Sequence, residues 1–142
     1  MGRRKSRETA LQILFQLEFN EDQERQLLDQ FFNDQVKDKS DYAQKLVRGV
    51  ASHKNEIDTL IQSYTKNWRI SRMLCIDRNI LRLAVYELLF EEDMAAAVAI
   101  NEAVELAKTF GSTESAKFVN GILDSLSKDP KVEKKLRGNT HE

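Results

Sequence analysis

An all-helical fold follows from three properties of this 142-residue sequence. It contains one proline and five glycines. Strand-like alternation of apolar and polar residues is scarce, and apolar residues instead recur at the three- and four-residue spacing that lines one face of a helix. The spacing predicts two packed three-helix bundles forming a compact unit, the first over residues 1–68 and the second over 69–129, with a polar tail from 130 to 142.

Ser6 is placed to cap a first helix running to about Phe19, since its hydroxyl can accept from free backbone N–H groups while Glu8 favours the helix's positive end. The apolar face of that helix is Ala10, Leu11, Leu14, Phe15 and Phe19. A second helix is predicted over Gln23 to Phe32, and a third from after Ser40 to about Asn67, kinked near Gly49. Trp68 then stands at the junction of the halves, where a large ring can seal two cores together. Ser71 is a second candidate cap. Behind it, Ile76, Ile80, Leu83, Ala84 and Leu88 predict a fourth helix from Asp77 to Phe90. Two more follow, joined by Gly111: one carries Ile100, Ala103, Val104 and Ala107, the other Val119, Ile122, Leu123 and Leu126. Beyond Pro130 the residues Lys131, Lys134, Lys135 and Arg137 sit in a segment with few apolar anchors, which predicts disorder.

Composition narrows the function. The sequence is 41% hydrophobic, enough for one buried core at this length. It has no run of about 18 apolar residues for a membrane span and no apolar stretch behind its basic start for a secretory signal, so a cytoplasmic location is expected. The lone Cys75 lies in the apolar run Met73 to Ile76 and reads as a small buried hydrophobe. No phosphate-binding loop, dinucleotide glycine pattern, nucleophile elbow or zinc helix is present. With only His53 and His141, no metal set has the required spacing. No catalysis, cofactor or metal is expected.

The net charge of −1 conceals a polarity. Arg3, Arg4, Lys5 and Arg7 crowd into the first seven residues without an acid, whereas from Glu8 onward 18 bases face 23 acids. Such a basic arm on an acidic body either holds a polyanion at one place or is a solvated tail.

The most distinctive stretch is VAINEAVELAKTFGSTESAKFVNGILD, Val98 to Asp124, which fixes Asn101, Glu102, Lys117, Asn120 and Gly121 to its two helices. Together with the opening GRRKSRETALQILFQ (Gly2 to Gln16) and WRISRMLCIDRNILRLAVYELLF (Trp68 to Phe90), it resembles the NusB family of transcription antitermination factors. Residues 20–67 follow that family in pattern only, and Ala95 stands where many members carry proline. The resemblance implies a noncatalytic adaptor that binds boxA-like single-stranded RNA of ribosomal-RNA transcripts as a heterodimer with NusE, a small-subunit ribosomal protein. It also implies work at the RNA polymerase elongation complex, promoting read-through.

Single-stranded RNA is held by cations that track phosphates and by rings on which bases stack. The arm supplies the cations. Phe118 lies off the stripe of its helix and is either a stacking ring or a flanking core residue. The resemblance favours stacking, adds Lys117 as a phosphate partner, and puts Glu114 beside that surface. Gly121 is expected to let another helix approach closely. Asp77, Glu87, Glu91 and Glu92 predict an acidic side on the fourth helix, either for solubility or for a basic partner. By resemblance, Asp77 and the aromatic Phe15 match partner contacts, with Glu87 added to them. Two rival readings remain. One is the helical RNA-binding domain of ribosomal-RNA cytosine methyltransferases, which needs a catalytic domain for which this chain has no room; the other is a bundle that binds proteins only.

Overall fold

The computed structural model describes residues 3–19, 26, 41–65, 69–91, 94–130 and 132. Among these it contains six α-helices and no strand: α1 (Arg3–Glu18), α2 (Asp41–Ser52), α3 (Lys54–Gln62), α4 (Cys75–Phe90), α5 (Ala96–Phe110) and α6 (Thr113–Ser127). The predicted helix over Gln23 to Phe32 lies outside the described residues apart from Gln26, as do Trp68 and Glu92.

The arrangement is organised around α4. Asp77 and every residue from Asn79 to Leu89 are buried, which identifies a helix enclosed on all sides rather than one with a single core face. It packs against α1, α2 and α3 in one direction and against α5 and α6 in the other. The buried apolar side chains consequently form one continuous core, from Leu11 and Leu46 through Leu81 and Leu88 to Leu123 and Leu126. Val132 belongs to it too, so the packed body extends past the boundary expected at residue 130.

Several local expectations are corrected. α1 begins at Arg3, so Ser6 is a buried residue of its second turn rather than a cap. Ser71 falls in a 3₁₀ turn, Ile70–Arg72, and Leu74 occupies the N-cap of α4. The long third helix divides at His53, not at Gly49. There the His53 ring stacks on Phe90 at 4.2 Å between centroids, and Phe90 stacks on Tyr86 at 5.2 Å. Gly49 has a different use: a Cβ at that position would lie 2.4 Å from the Tyr86 ring, so its bare backbone lets α2 approach α4. Gly121, by contrast, has nothing within 4 Å of where its Cβ would be. It admits no helix of the described chain.

The turn between α5 and α6 is short because Gly111 ends one helix and Ser112 caps the next, its hydroxyl accepting from the Ser115 N–H at 3.1 Å. Ala95, before α5, has φ −75° and ψ 141°, extended backbone that a proline also adopts.

Polar clamps fasten α4 to its neighbours. Arg78 and Arg82 donate to Glu18 at the end of α1, at 2.6 and 2.9 Å, and Arg82 grips Asp58 of α3 with two hydrogen bonds at 2.8 and 2.9 Å. Cys75 donates its thiol proton to Glu18 as well, at 2.6 Å. Burial and then that carboxylate push the Cys75 thiol up to about 11, so it stays protonated and unreactive at neutral pH. Burial alone would raise the Glu18 carboxyl, but hydrogen bonds from Arg78, Cys75 and Arg82 outweigh it and hold the group down at about 2. The Tyr64 hydroxyl donates to Asp129, which ties the end of α3 to the segment after α6.

Two tests follow from this packing. Gly49→Ala should destabilise the protein by about 1–3 kcal/mol through overpacking against Tyr86, whereas Gly121→Ala should stabilise it by up to about 1 kcal/mol by removing a helix-interior glycine; urea unfolding of both variants measures the contrast. A carboxyl whose folded value is depressed stabilises the fold above its ordinary value of 4.5 and loses that contribution as pH falls toward about 2. Glu18→Gln should therefore lower stability at pH 7 and flatten the decline between those pH values, read by denaturant titrations across the range.

Candidate nucleic-acid interface

The basic arm is the first turn of a helix. Arg3, Arg4 and Lys5 are exposed on α1, and no acid shares that turn. Across from it stands the beginning of α5, and between the two lies an open groove of roughly 560 Å³ lined by Arg3, Arg4, Arg7, Met94, Val98 and Glu102. Arg4 makes a bidentate ion pair with Glu102, its Nε and Nη2 donating at 3.0 and 2.8 Å. This bond holds the Glu102 carboxyl below its usual range and fixes Arg4 at the groove's rim. The Arg3 Cζ lies over the ring of Tyr42, 4.3 Å from its centroid, within the range of a cation–π contact.

Arg7 departs from expectation. It is 4% exposed, because it sits on the same stripe of α1 as Ala10, Leu11 and Leu14. Its Nε donates to both carboxylate oxygens of Glu87, at 3.1 and 2.9 Å. Its Nη1 lies 3.4 Å from Glu102. Glu87, 1% exposed, also accepts from the Tyr42 hydroxyl. Burial, followed by that carboxylate, pushes the Tyr42 phenol far above its ordinary value, so it remains a donor. Arg7 is thus a structural cation facing the core, not an exposed grip, and Glu87 is its counter-ion rather than a surface contact.

Among the described residues, the acidic side predicted for the fourth helix is not a surface; Glu92 lies outside them. Asp77, Glu87 and Glu91 are all buried, and Glu91 lies 2.9 Å from the ammonium of Lys45 on α2. Asp77 occupies the first turn of α4, where the helix's positive end favours a carboxylate, and its Oδ1 finds no hydrogen-bond partner among the described residues. Two large apolar side chains are exposed at this end of the molecule, Leu74 at 67% and Phe19 at 69%, beside the exposed Arg69, Ser71 and Arg72. Phe19 packs edge-on to the half-buried Phe15, with centroids 5.1 Å apart. The clamp on Glu18 brings these residues to one end of the molecule, since it joins the finish of α1 to the start of α4.

On α6, Lys117 and Glu114 are exposed and Phe118 is half-buried, packed against the core's margin. Asn101 on α5 and Asn120 and Gly121 on α6 are exposed as well. α5 packs along α6, and Glu102 on α5 holds Arg4 of the basic turn. Sequence reasoning assigned no role to Tyr42 and none to Glu102. Their partners lie on other helices, and neither spacing nor composition reports such a pairing.

Among the described residues no group of His, Cys, Asp or Glu is placed to hold a metal ion, and no helix is long and apolar enough to cross a membrane. The geometry defines a helical protein with an exposed cationic turn at the start of α1 and two exposed apolar side chains, Phe19 and Leu74, toward the end of α1 and the start of α4. The NusB family model matches residues 4–128, and the chain belongs to that family. It is 46% identical over 132 residues to the transcription antitermination protein NusB of Myxococcus xanthus (strain DK1622), covering 89% of this chain and 94% of that protein. Among solved structures it is similar to NusB of T. maritima, with a TM-score of 0.78 at 39% identity over 96% of this chain and 98% of the other. It is similar also to a structure of antitermination factors NusB and NusE in complex with dsRNA, with a TM-score of 0.76 at 31% identity over 89% of this chain and 96% of the other. The family is one of transcription factors rather than enzymes.

Removing one partner of a buried ion pair strands the other charge at about 3–5 kcal/mol. Arg7→Ala should therefore lower the unfolding midpoint sharply, whereas Lys5→Ala, at an exposed position on the same helix, should shift it by less than about 0.5 kcal/mol; thermal melts of the two variants show the difference.

Proposed function

We propose that the chain is a transcription antitermination factor that binds boxA-like single-stranded RNA of ribosomal-RNA transcripts together with NusE and promotes read-through by the RNA polymerase elongation complex in the cytoplasm. The observation that carries this reading is the exposed cationic turn of Arg3, Arg4 and Lys5 over an open groove, in a chain of the NusB family. Its RNA contacts are those three residues with Lys117 and Phe118. Arg7 supports them from within. Glu114, exposed one turn before Phe118, repels phosphate and limits the grip at that edge.

The partner surface is the opposite end, where the exposed apolar Phe19 and Leu74 stand beside the exposed Arg69 and Arg72. Phe15, Phe19 and Leu74 offer the kind of exposed apolar patch that marks an interface, and the orphan oxygen of Asp77 is an acceptor for a partner's donor. Asp77, Glu87 and Glu91 are buried, so these three do not form a broad acidic face for a basic NusE.

Replacing Arg3, Arg4 and Lys5 together by alanine should weaken binding to a boxA-like single strand and leave the melting temperature nearly unchanged. Each lost phosphate contact removes about 0.7 from the slope of log affinity against log salt for a single strand, so the triple variant should lose about 2. Affinity and slope equal to wild type would sink the RNA reading. A parallel titration with duplex RNA and with added NusE separates single-strand from duplex preference and shows whether the partner raises affinity.

A further inference from the structure

We propose that the guanidinium of Arg3, laid on the ring of Tyr42, is a stacking platform for a nucleobase, so that Arg3 contributes a plane as well as a charge. The inference rests on the RNA-binding reading above and adds to it a second stacking site, on the opposite side of α5 in the chain of contacts from Phe118.

The geometry is specific. Arg3 belongs to the first turn of α1 and Tyr42 to the first turn of α2, and the Arg3 Cζ sits 4.3 Å from the ring centroid, well inside the distance at which a cation and a ring attract. The ring is not free to turn away. Its hydroxyl donates to Glu87, the buried carboxylate that also receives both bonds from Arg7 Nε, and Arg7 Cζ lies 6.0 Å from the same ring. A buried ion pair thus anchors Tyr42, and Tyr42 in turn carries the guanidinium of an exposed arginine over its ring. Arg3 also borders the open groove, where its guanidinium can take a base.

Guanidinium planes stack on bases as aromatic rings do, and with little regard to sequence because every base has a π-face. A lysine carries the same charge but has no plane. Around the platform, Arg4 is fixed by Glu102, and Lys45, one turn beyond Tyr42 on α2, is paired with Glu91. These cations can lead the flanking phosphates past the stacked base. The arrangement is a layered Tyr42, Arg3 and base, built outward from the core.

The test uses the full chain and a boxA-like single-stranded RNA in which one nucleotide at a time is replaced by an abasic residue, with affinity read by fluorescence anisotropy. In the wild type, abasic substitution at the platform position should weaken binding about tenfold. In Arg3→Lys that penalty should disappear, while the penalties at other positions and the salt slope stay as they were, because the charge is retained. Tyr42→Leu should abolish the same penalty, with a melting curve to verify the fold. An Arg3→Lys profile identical to wild type at every position, with the intact RNA still bound, overturns the platform and leaves the RNA reading standing. Failure of the wild type to bind the intact RNA at all overturns both.

Discussion

The buried pair of Arg7 and Glu87 is the interaction on which the functional end of the molecule depends. Taking two charges out of water is expensive, and it succeeds only where each is fully hydrogen-bonded. Here the carboxylate receives both oxygens' worth of bonds from Arg7 Nε and a further one from Tyr42, while Arg7 also faces Glu102 and the sulfur of Met94 at 3.8 Å. Five segments meet at this point: α1, α2, α4, the lead into α5 through Met94 and α5 itself through Glu102. The pair fixes the direction of α1's first turn, and with it the places of Arg3 and Arg4. A cationic terminus that would otherwise wander is held in register with the groove.

A second constraint is the division of labour among the charges. Bases and acids are nearly balanced in the chain, yet they are not interspersed at random. Glu87 of α4 faces inward to Arg7 and Tyr42, the buried Glu91 just after α4 pairs with Lys45, and Glu18 neutralises Arg78 and Arg82. The surface around the first turn of α1 therefore keeps its positive character although the protein as a whole carries a net charge of −1. Local potential, not net charge, decides where a polyanion can settle.

Much of this was legible in the chain itself. Helical periodicity identified the all-α class, the stripe Val119, Ile122, Leu123 and Leu126 proved wholly buried, and Phe118 came out at the core's margin as its angular position requires. The same periodicity held information that charge obscured. Arg7 lies four residues before Leu11 and seven before Leu14, and Glu87 follows Ile80, Leu83 and Ala84 on one stripe. Both therefore stood on core faces, and a charged residue on such a face signals a buried partner. Reading them as surface groups from their side-chain type gave the wrong side of the helix. Other features had no signal of that kind. The break at His53 depends on a ring stack with Phe90, the use of Gly49 depends on Tyr86, and the Arg3–Tyr42 contact spans two helices, all set by tertiary packing.

The enclosure of α4 reaches beyond stability. A helix claimed by both layers denies the molecule a seam, so the two halves cannot swing against each other like separate lobes without stripping it bare. On the reading proposed above, RNA at the cationic turn and a partner at the Phe19 and Leu74 end are presented by one strut, at a spacing set by α1 and α4. Assembly of larger complexes on such a body resembles fitting parts to a fixed jig, with adaptation left to the RNA and to the partner chain.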